Sequence, residues 1–220
     1  MYIGRFAPTP SGPLHFGSIV TALASYLDAK HNNGQWKVRI DDIDSPRILE
    51  GAESNILKNL ESLGLFWDDK IFRQSENIRE YKNILEMLNS KNLTYNCNCS
   101  RKKIAVSNLS DANEPTYNNH CRNMQLPSSG KSAIRLIADY KLTNFIDRAQ
   151  GPQSQNTNNS IGDFIIKRSD QLYAYQLAVV VDDQLQSVTN IVRGMDLLSS
   201  TIKQYYINNL LNFPEKDYMH

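Results

Sequence analysis

Apolar side chains recur along the first half of this 220-residue chain with two different periods. Residues 1–7 and 35–40 are predicted to be short strands, and apolar residues alternate with charged ones in the second of them. Residues 18–30, 51–65 and 75–92 carry apolar side chains every three or four positions, which predicts three amphipathic helices.

The first predicted helix is expected to pack against a sheet through one apolar face. The residues assigned to that face are Ile19, Leu23, Tyr26 and Leu27. The segment before it therefore joins a strand to a helix. In an open α/β sheet, such junctions lie at the carboxyl edge of the strands, where ligands bind.

The second half of the chain changes character. Residues 93–142 hold all three cysteines, several turn residues and one short strand at 132–138, which indicates an insertion domain. The polar tract 150–160 is predicted to be a loop. Residues 163–183 give a strand, a turn at 169–171 and a second apolar strand that carries Tyr175.

A last helix follows, with Asp196 as its candidate N-cap. The order of elements predicts an α/β, doubly wound, Rossmann-like fold interrupted by a small insertion. The predicted limits are 1–92 for the first half of the main domain, 93–142 for the insertion and 143–220 for the second half.

Composition restricts the class of protein without identifying it. Hydrophobic residues make up 40% and charged residues 21%, as in an ordinary globular domain. No apolar run approaches the roughly 18–20 residues of a membrane helix. The N-terminus has no signal pattern, and three cysteines do not form a secreted disulfide framework, so a cytoplasmic location is expected. The net charge of +1 identifies no class of partner.

The strand-to-helix junction at residues 5–18, RFAPTPSGPLHFGS, has the features of a phosphate site. A helix N-terminus offers unpaired N–H groups to an anion. His15 can donate a hydrogen bond to a phosphate oxygen, and Gly17 lets a base or ribose approach the backbone. The three prolines stiffen the loop before any ligand binds.

This string resembles the signature of the class I aminoacyl-tRNA synthetases of the glutamyl/glutaminyl branch. The family has a second histidine where this chain has Ser18. The strand VRIDDIDSPR is similar to a second family motif, with Asp41 in place of the usual glutamate. YAYQLAVVVDD and NIVRGMDLLSSTIKQYY match the later half of the catalytic domain in order and spacing. The similarity covers nearly the whole chain, which is expected to end before the family's Lys-Met-Ser-Lys-Ser-like loop.

The resemblance implies a role for each residue that matches a motif. It implies that His15 and Ser18 are catalytic. It implies that L-glutamate is bound by Arg5, Thr9, Asp41, Tyr175 and Arg193. The arginines would face the carboxylates of the substrate, and Asp41 would face its ammonium group. It implies that ATP is bound by Pro8, His15, Gly17 and Ser18. A guanidinium suits this substrate because its bidentate pairing with a carboxylate discriminates against the neutral glutamine side chain.

The cysteines suggest a metal site. Two short clusters hold Cys97, Cys99 and Cys121, with Tyr117 and His120 nearby. Such clusters can close around one structural zinc ion, or they can be three reduced, partly buried thiols. On chemical grounds His120 is the easier fourth ligand. The family resemblance implies Tyr117 instead.

The implied activity is the ATP-dependent conversion of L-glutamate to glutamyl-adenylate, with Mg²⁺ on the ATP. The small member of the branch that matches best then transfers the glutamyl group to the queuosine base of tRNA(Asp), and a monomer is expected. Three alternatives stay open at this point. They are a fragment of an ordinary glutamyl-tRNA synthetase, an impaired ATP- or RNA-binding homologue, and a nucleotidyltransferase for a small metabolite.

Overall fold

The protein is described here from a computed structural model. The residues that it describes are 1–100, 103–104, 117–124, 126–127, 131–138, 142–156 and 162–220. They form two sheets, and the helices pack around the larger one. No helix within these ranges is long and apolar enough to cross a membrane.

The larger sheet has seven strands in the order β3-β2-β1-β9-β10-β6-β7. Its strands are β1 (Ile3–Phe6), β2 (Gln35–Ile40), β3 (Phe72–Arg73), β6 (Leu142–Asp147), β7 (Gly151–Asn156), β9 (Asn190–Val192) and β10 (Asp217–Met219). Neighbouring strands are parallel except β6 and β7, which form an antiparallel hairpin. The predicted α/β class is therefore confirmed.

A smaller antiparallel sheet joins three strands in the order β4-β5-β8. These are β4 (Thr94–Cys97), β5 (Ala133–Leu136) and β8 (Phe164–Lys167). Strands β4 and β5 precede the predicted boundary at residue 142, and β8 follows it. Strand β6 begins at that boundary and belongs to the larger sheet. The limits 93–142 for an insertion domain stay a prediction.

The helices are α1 (Phe16–His31), α2 (Ala52–Ser62), α3 (Ile78–Ser90), α4 (Tyr175–Leu185) and α5 (Leu198–Leu210). In α3 the buried residues Tyr81, Leu85 and Leu88 follow the helical period of the sequence. The three helices predicted in the first half of the chain are thus confirmed.

The predicted packing face of α1 is wrong at Leu23 and Leu27, whereas Tyr26 of that face packs against Trp36 in the core. Leu23 and Leu27 are 45% and 55% exposed, and the buried residues are Ala22, Ser25 and Ala29. Small side chains let this helix approach the sheet closely, and Trp36 on β2 donates its indole N–H to the Ser25 hydroxyl at 2.8 Å. Close approach thus outweighs the burial of leucines in placing this helix.

Three further expectations need correction. Tyr175 does not lie on a strand, because the apolar segment that it begins is helix α4, buried over Leu177–Val181. Asp196 does not cap α5, since it lies in a 3₁₀ turn at Met195–Leu197 and Leu197 occupies the cap position.

The third correction concerns the polar tract 150–160. Residues Gly151–Asn156 of this tract form strand β7, which pairs with β6 along its whole length from a turn at 148–150. Backbone pairing at a sheet edge needs no apolar side chains, so the polar composition gave no sign of the strand. The rest of the tract, up to residue 160, lies outside the described residues.

Candidate active site

The carboxyl ends of β1, β2 and β9 meet at one cavity of about 680 Å³. Because β1 lies between β2 and β9, the chain leaves these central strands in opposite directions and a crevice opens between the loops, as in other open α/β sheets. The cavity is lined by every residue that the sequence analysis assigned to glutamate or ATP: Arg5, Pro8, Thr9, His15, Gly17, Ser18, Asp41, Tyr175 and Arg193.

The loop between β1 and α1 forms one wall of the cavity. It is tied to the loop after β2 by two backbone hydrogen bonds, from Asp41 N–H to the Pro8 oxygen and from Leu49 N–H to the Pro10 oxygen, each 3.0 Å long. Gly12 has φ +154°, a conformation that L side chains rarely adopt. The prolines and the two hydrogen bonds between the loops together give this wall a fixed shape.

His15 caps the helix that it precedes. Its Nδ1 accepts a hydrogen bond from Ser18 N–H at 3.2 Å, so the ring proton lies on Nε2, which is 3.0 Å from the Ser18 hydroxyl oxygen. A Cβ on Gly17 would approach the imidazole to 3.1 Å, so glycine keeps space for the ring. Because the hydroxyl of Ser18 accepts from His15, its own proton is free to be donated to a ligand.

Four buried charged side chains form a network below the cavity. Arg39, fully buried, donates from Nε to Asp41 and from Nη1 to Asp183, both at 2.6 Å. Asp183 also accepts from Nε of Arg5 at 3.1 Å. The network thus fixes Arg5 and Asp41 at the cavity through partners that lie behind them.

The pKa values of this network follow from burial and from these partners. Burial raises the pKa of Asp41 above its usual range, although Arg39 opposes the shift. Burial would also raise the pKa of Asp183, but Arg5 and Arg39 outweigh it and hold that pKa below its usual range. Burial raises the pKa of the neighbouring Asp182 to about 7, since Arg39 lies 3.9 Å away and its closer partners are neutral.

Arg193 lies on the opposite wall, directly after β9. Its guanidinium donates to Nε2 of His220 at 2.9 Å, to Gln204 Oε1 at 2.7 Å and to Thr201 Oγ1 at 2.7 Å, with the Tyr175 hydroxyl at 3.5 Å. Within the described part of the chain, no carboxylate forms an ion pair with it. Burial lowers the pKa of Arg193. A buried guanidinium held only by neutral groups is a strong site for a ligand anion.

Several residues of this site were missed by sequence reasoning. Arg39, Asp182 and Asp183 lie inside the two matched segments VRIDDIDSPR and YAYQLAVVVDD. Charged residues are usually solvated, so none of the three was predicted to lie in the site. His220 was missed as well. The sequence indicates the burial of these charged residues only through their neighbours. Arg39 lies between two apolar residues of a predicted strand, and the two aspartates end an apolar run.

The cysteine cluster lies apart from this cavity, at the small sheet. The sulfur atoms of Cys97, Cys99 and Cys121 lie within 4.8 Å of one another. The Tyr117 hydroxyl is 3.4 Å from the sulfur of Cys97 and 3.5 Å from that of Cys99. His120 is exposed to solvent and is not among the clustered ligand atoms.

The surroundings favour a thiolate at Cys97, whereas burial raises the pKa of Cys99. Nε of Arg135 donates to the sulfur of Cys97 at 3.2 Å, and its guanidinium lies 3.6 Å from the centre of the Tyr117 ring. Burial would raise the pKa of Cys97, but the hydrogen bonds from Tyr117 and Arg135 outweigh it and lower the pKa. Thiolate is the form that binds zinc.

The family model for class I tRNA synthetases (E and Q), catalytic domain, matches residues 3–220. A glutamyl-Q tRNA(Asp) synthetase of Ectopseudomonas mendocina (strain ymp) is 48% identical over 219 residues, which cover 100% of this chain and 72% of the relative. A protein of the same name from Acinetobacter baylyi (strain ATCC 33305 / BD413 / ADP1) is 45% identical, with the same shares.

The fold is also similar to that of a solved synthetase. The crystal structure of a glutamate tRNA ligase from Elizabethkingia meningosepticum CCUG26117, in complex with its amino acid, superposes with a TM-score of 0.86 at 26% identity. The match covers 100% of this chain and 49% of that structure. The chain thus spans about half the length of the solved ligase.

Proposed function

Since the chain belongs to the class I tRNA synthetases (E and Q), and within them to the glutamyl-Q tRNA(Asp) synthetases, we propose that it activates L-glutamate with ATP and transfers the glutamyl group to the queuosine base of tRNA(Asp). In the first step an oxygen of the substrate α-carboxylate attacks the α-phosphorus of ATP. The bond to the bridging oxygen breaks, and pyrophosphate leaves glutamyl-adenylate behind.

The observation that carries this proposal is the state of Arg193. Its charge is buried at the cavity wall, and its partners are a hydroxyl, an amide oxygen and an imidazole nitrogen, all of them neutral. A substrate carboxylate would supply the missing anion through charge-assisted hydrogen bonds. Tyr175, whose hydroxyl lies beside Nη1, would bind the same carboxylate.

Arg5 and Asp41 complete the recognition of an α-amino acid with an acidic side chain. Arg5 uses Nε for Asp183, and its two terminal nitrogens have no further partner within the described residues. Asp41 uses one oxygen for Arg39 and lines the cavity with the rest of its carboxylate. A substrate ammonium group beside Asp41 would favour the ionised carboxylate that burial disfavours.

ATP would lie along the loop between β1 and α1. The free N–H groups at the start of α1 and the Ser18 hydroxyl would bind phosphate oxygens, with His15 orienting that hydroxyl. Pro8, Thr9 and Gly17 would shape the loop against substrate and nucleotide. Mg²⁺ would arrive with the ATP and offset its charge.

The cysteine cluster fits one structural zinc ion. Zinc–sulfur bonds of about 2.3 Å in a tetrahedron place sulfur atoms roughly 3.8 Å apart, and the sulfurs of Cys99 and Cys121 are 3.5 Å apart here. We assign Cys97, Cys99, Tyr117 and Cys121 as its ligands, because the Tyr117 hydroxyl lies against two of the sulfurs. The ion would hold the small sheet to the segment 117–124 and take no part in the chemistry.

The exchange of labelled pyrophosphate into ATP tests the activation step. We expect exchange that needs L-glutamate, is not driven by L-glutamine, and occurs without tRNA. Exchange driven by glutamine, or exchange without any amino acid, would contradict the assignment of the substrate. Transfer is tested separately with labelled glutamate and tRNA(Asp) with and without queuosine, and only the modified tRNA is expected to accept the label.

A further inference from the structure

The imidazole of His220 connects the candidate active site to the hairpin of β6 and β7. Its Nε2 is 2.9 Å from Nε of Arg193, and its Nδ1 is 2.5 Å from a carboxylate oxygen of Asp147, the last residue of β6. The side chains of His220 and Asp147 are both fully buried. Neither residue lines the cavity, and neither has a role in the activation step proposed above.

The hydrogen bonds determine the protonation state of this imidazole. A guanidinium N–H can only donate, so Nε2 of His220 must accept and carries a lone pair. The proton of the neutral ring therefore lies on Nδ1 and is donated to Asp147. The carboxylate of Asp147 also accepts from the backbone N–H groups of residues 149, 150 and 220, so its position does not depend on the imidazole.

This arrangement positions Arg193 without neutralising it. A carboxylate in direct contact with the guanidinium would compete with a substrate carboxylate for the same donors. Here one neutral ring separates the two charges, so Arg193 keeps its full charge for a ligand while its Nε is fixed. The Thr201 hydroxyl, 2.9 Å from Nε2 of His220 and 2.7 Å from Nη2 of Arg193, braces the same contact.

We propose that Asp147 and His220 are positioning residues for glutamate recognition, which hold Arg193 through a neutral imidazole and make the affinity for L-glutamate fall in acid. This inference rests on the proposed function, because it takes the carboxylate of L-glutamate as the ligand of Arg193. The affinity falls in acid because the imidazolium form of His220 has no lone pair to accept from Nε of Arg193. It also adds a second positive charge beside the guanidinium.

The charged groups around His220 set the pH range. Burial lowers the pKa of His220, Asp147 on β6 opposes this shift, and Arg193 and Arg5 reinforce it. Tyr218 of β10 stacks on the ring with centroids 6.2 Å apart. Since the pKa lies below its ordinary value, the imidazole is neutral at pH 7.5. Glutamate affinity is then complete above that pKa and is lost as the pH falls through it.

Two substitutions separate positioning from a merely structural role. H220F keeps a ring of similar size but offers no acceptor, and it is expected to raise the dissociation constant for L-glutamate about 10–100-fold at pH 7.5. H220Q can place an amide oxygen near Arg193 and does not titrate. It is expected to bind within about threefold of the parent at pH 7.5 and to show a smaller decrease in affinity in acid than the parent, because only the contribution of Asp41 remains.

Equilibrium binding of labelled L-glutamate, from pH 8 down to the lowest pH at which the parent stays folded, measures both effects. His31 is an exposed histidine near the end of α1, so H31Q is the matched control and should keep the parent profile. Asp41 titrates in both proteins, so the difference between the two pH profiles isolates His220. If H220F binds like the parent, or the pH profile of H220Q coincides with that of the parent, the inference is overturned. Tm values of all variants show whether they are folded.

An independent measurement needs no ligand. The ¹⁵N shifts of the His220 ring, assigned by comparison with H220Q, should show the proton on Nδ1 at pH 7.5. A proton on Nε2, or a doubly protonated ring, would overturn the inference. If the parent binds no glutamate at any pH, the proposed function is contradicted, and the tautomer still decides whether the imidazole accepts from Arg193.

Discussion

The neighbouring aspartates of helix α4 should respond in opposite ways to the same substitution. Asp182 and Asp183 are both fully or nearly fully buried, and each becomes its closest isostere when replaced by asparagine. Asp183 has two arginine partners, whereas the hydrogen-bond partners of Asp182 are the neutral side chains of Gln74 and Tyr81. The comparison therefore isolates the contribution of a buried ion pair.

D183N removes a charge and leaves the hydrogen bonds in place. Arg5 and Arg39 both donate to the same oxygen of Asp183, and an amide oxygen can occupy that position. Two buried guanidinium groups then lose a shared counter-charge. Breaking a buried pair in this way costs about 3–5 kcal/mol in the free energy of unfolding. With a urea m-value of about 2–3 kcal/mol/M, the midpoint should fall by about 1–2 M.

D182N should cost little and become favourable as the pH rises. Its amide can accept from Gln74 and donate to the Tyr81 hydroxyl, which can turn to the Gln74 backbone oxygen 3.2 Å away. Burial raises the pKa of Asp182 to about 7, whereas the value in the unfolded chain is near 4. The free energy of unfolding of the parent therefore falls as the pH rises from about 4 to about 7. We expect D182N to lie within about 1 kcal/mol of the parent at pH 5 and to be at least as stable at pH 8.

Urea unfolding followed by tryptophan fluorescence tests both variants, since Trp36 is fully buried in the core. A loss of less than about 1 kcal/mol in D183N would refute the argument that Asp183 compensates the two arginines. A loss of several kcal/mol in D182N at pH 8 would show that Asp182 is an ionised partner of Arg39, and the assigned pKa direction would then be wrong.

Three further outcomes are expected. R193A should weaken L-glutamate binding at least about 100-fold, because the substrate carboxylate loses its charged partner; exposed R79A is the control, and parent-like affinity in R193A would exclude the assigned pocket. Y117F should lower the zinc content of the purified protein and H120A should not, as measured by metal analysis; the reverse result would make the histidine the fourth ligand. G34A should lower the free energy of unfolding by about 2 kcal/mol or more in urea, since its Cβ would overlap a carbonyl oxygen; an unchanged midpoint would contradict that geometry.

The sequence was most informative where one physical rule dominates. Helix α3 has a clear apolar stripe, and its predicted helix is found at Ile78–Ser90. The junction after β1 was expected at the carboxyl edge of the sheet, and its residues line the cavity found there. Both predictions depend only on local periodicity and on the general behaviour of parallel sheets.

The errors arose where two rules compete. Helix α4 is buried over seven consecutive residues, so its segment lacks helical periodicity and its valines favour a strand. In α1 the leucines suggested one face, but the small residues Ala22, Ser25 and Ala29 allow closer packing and form the buried face. The periodicity of apolar residues does not show whether a helix packs closely through small side chains or buries its larger apolar ones.

Contacts between residues distant along the chain could not be predicted from the sequence for a different reason. Arg39 and Asp183 are 144 positions apart, and Asp147 and His220 are 73 apart. A charged residue in a sequence has no visible partner until the strand order is known. Their positions follow from the sheet topology, which the sequence predicted only at the level of fold class.

The central position of β1 has a consequence for biosynthesis. One edge of this strand pairs with β2, only about thirty residues later, but the other pairs with β9, where Gly4 lies opposite Asn190. During translation β1 therefore presents an open edge until nearly 190 residues have been made, and an open edge is prone to pair with other chains. Early β1–β2 pairing, together with α1, would have to protect this segment. Folding of the site must then await the closure of a very long loop, which makes it slow for a domain of this size.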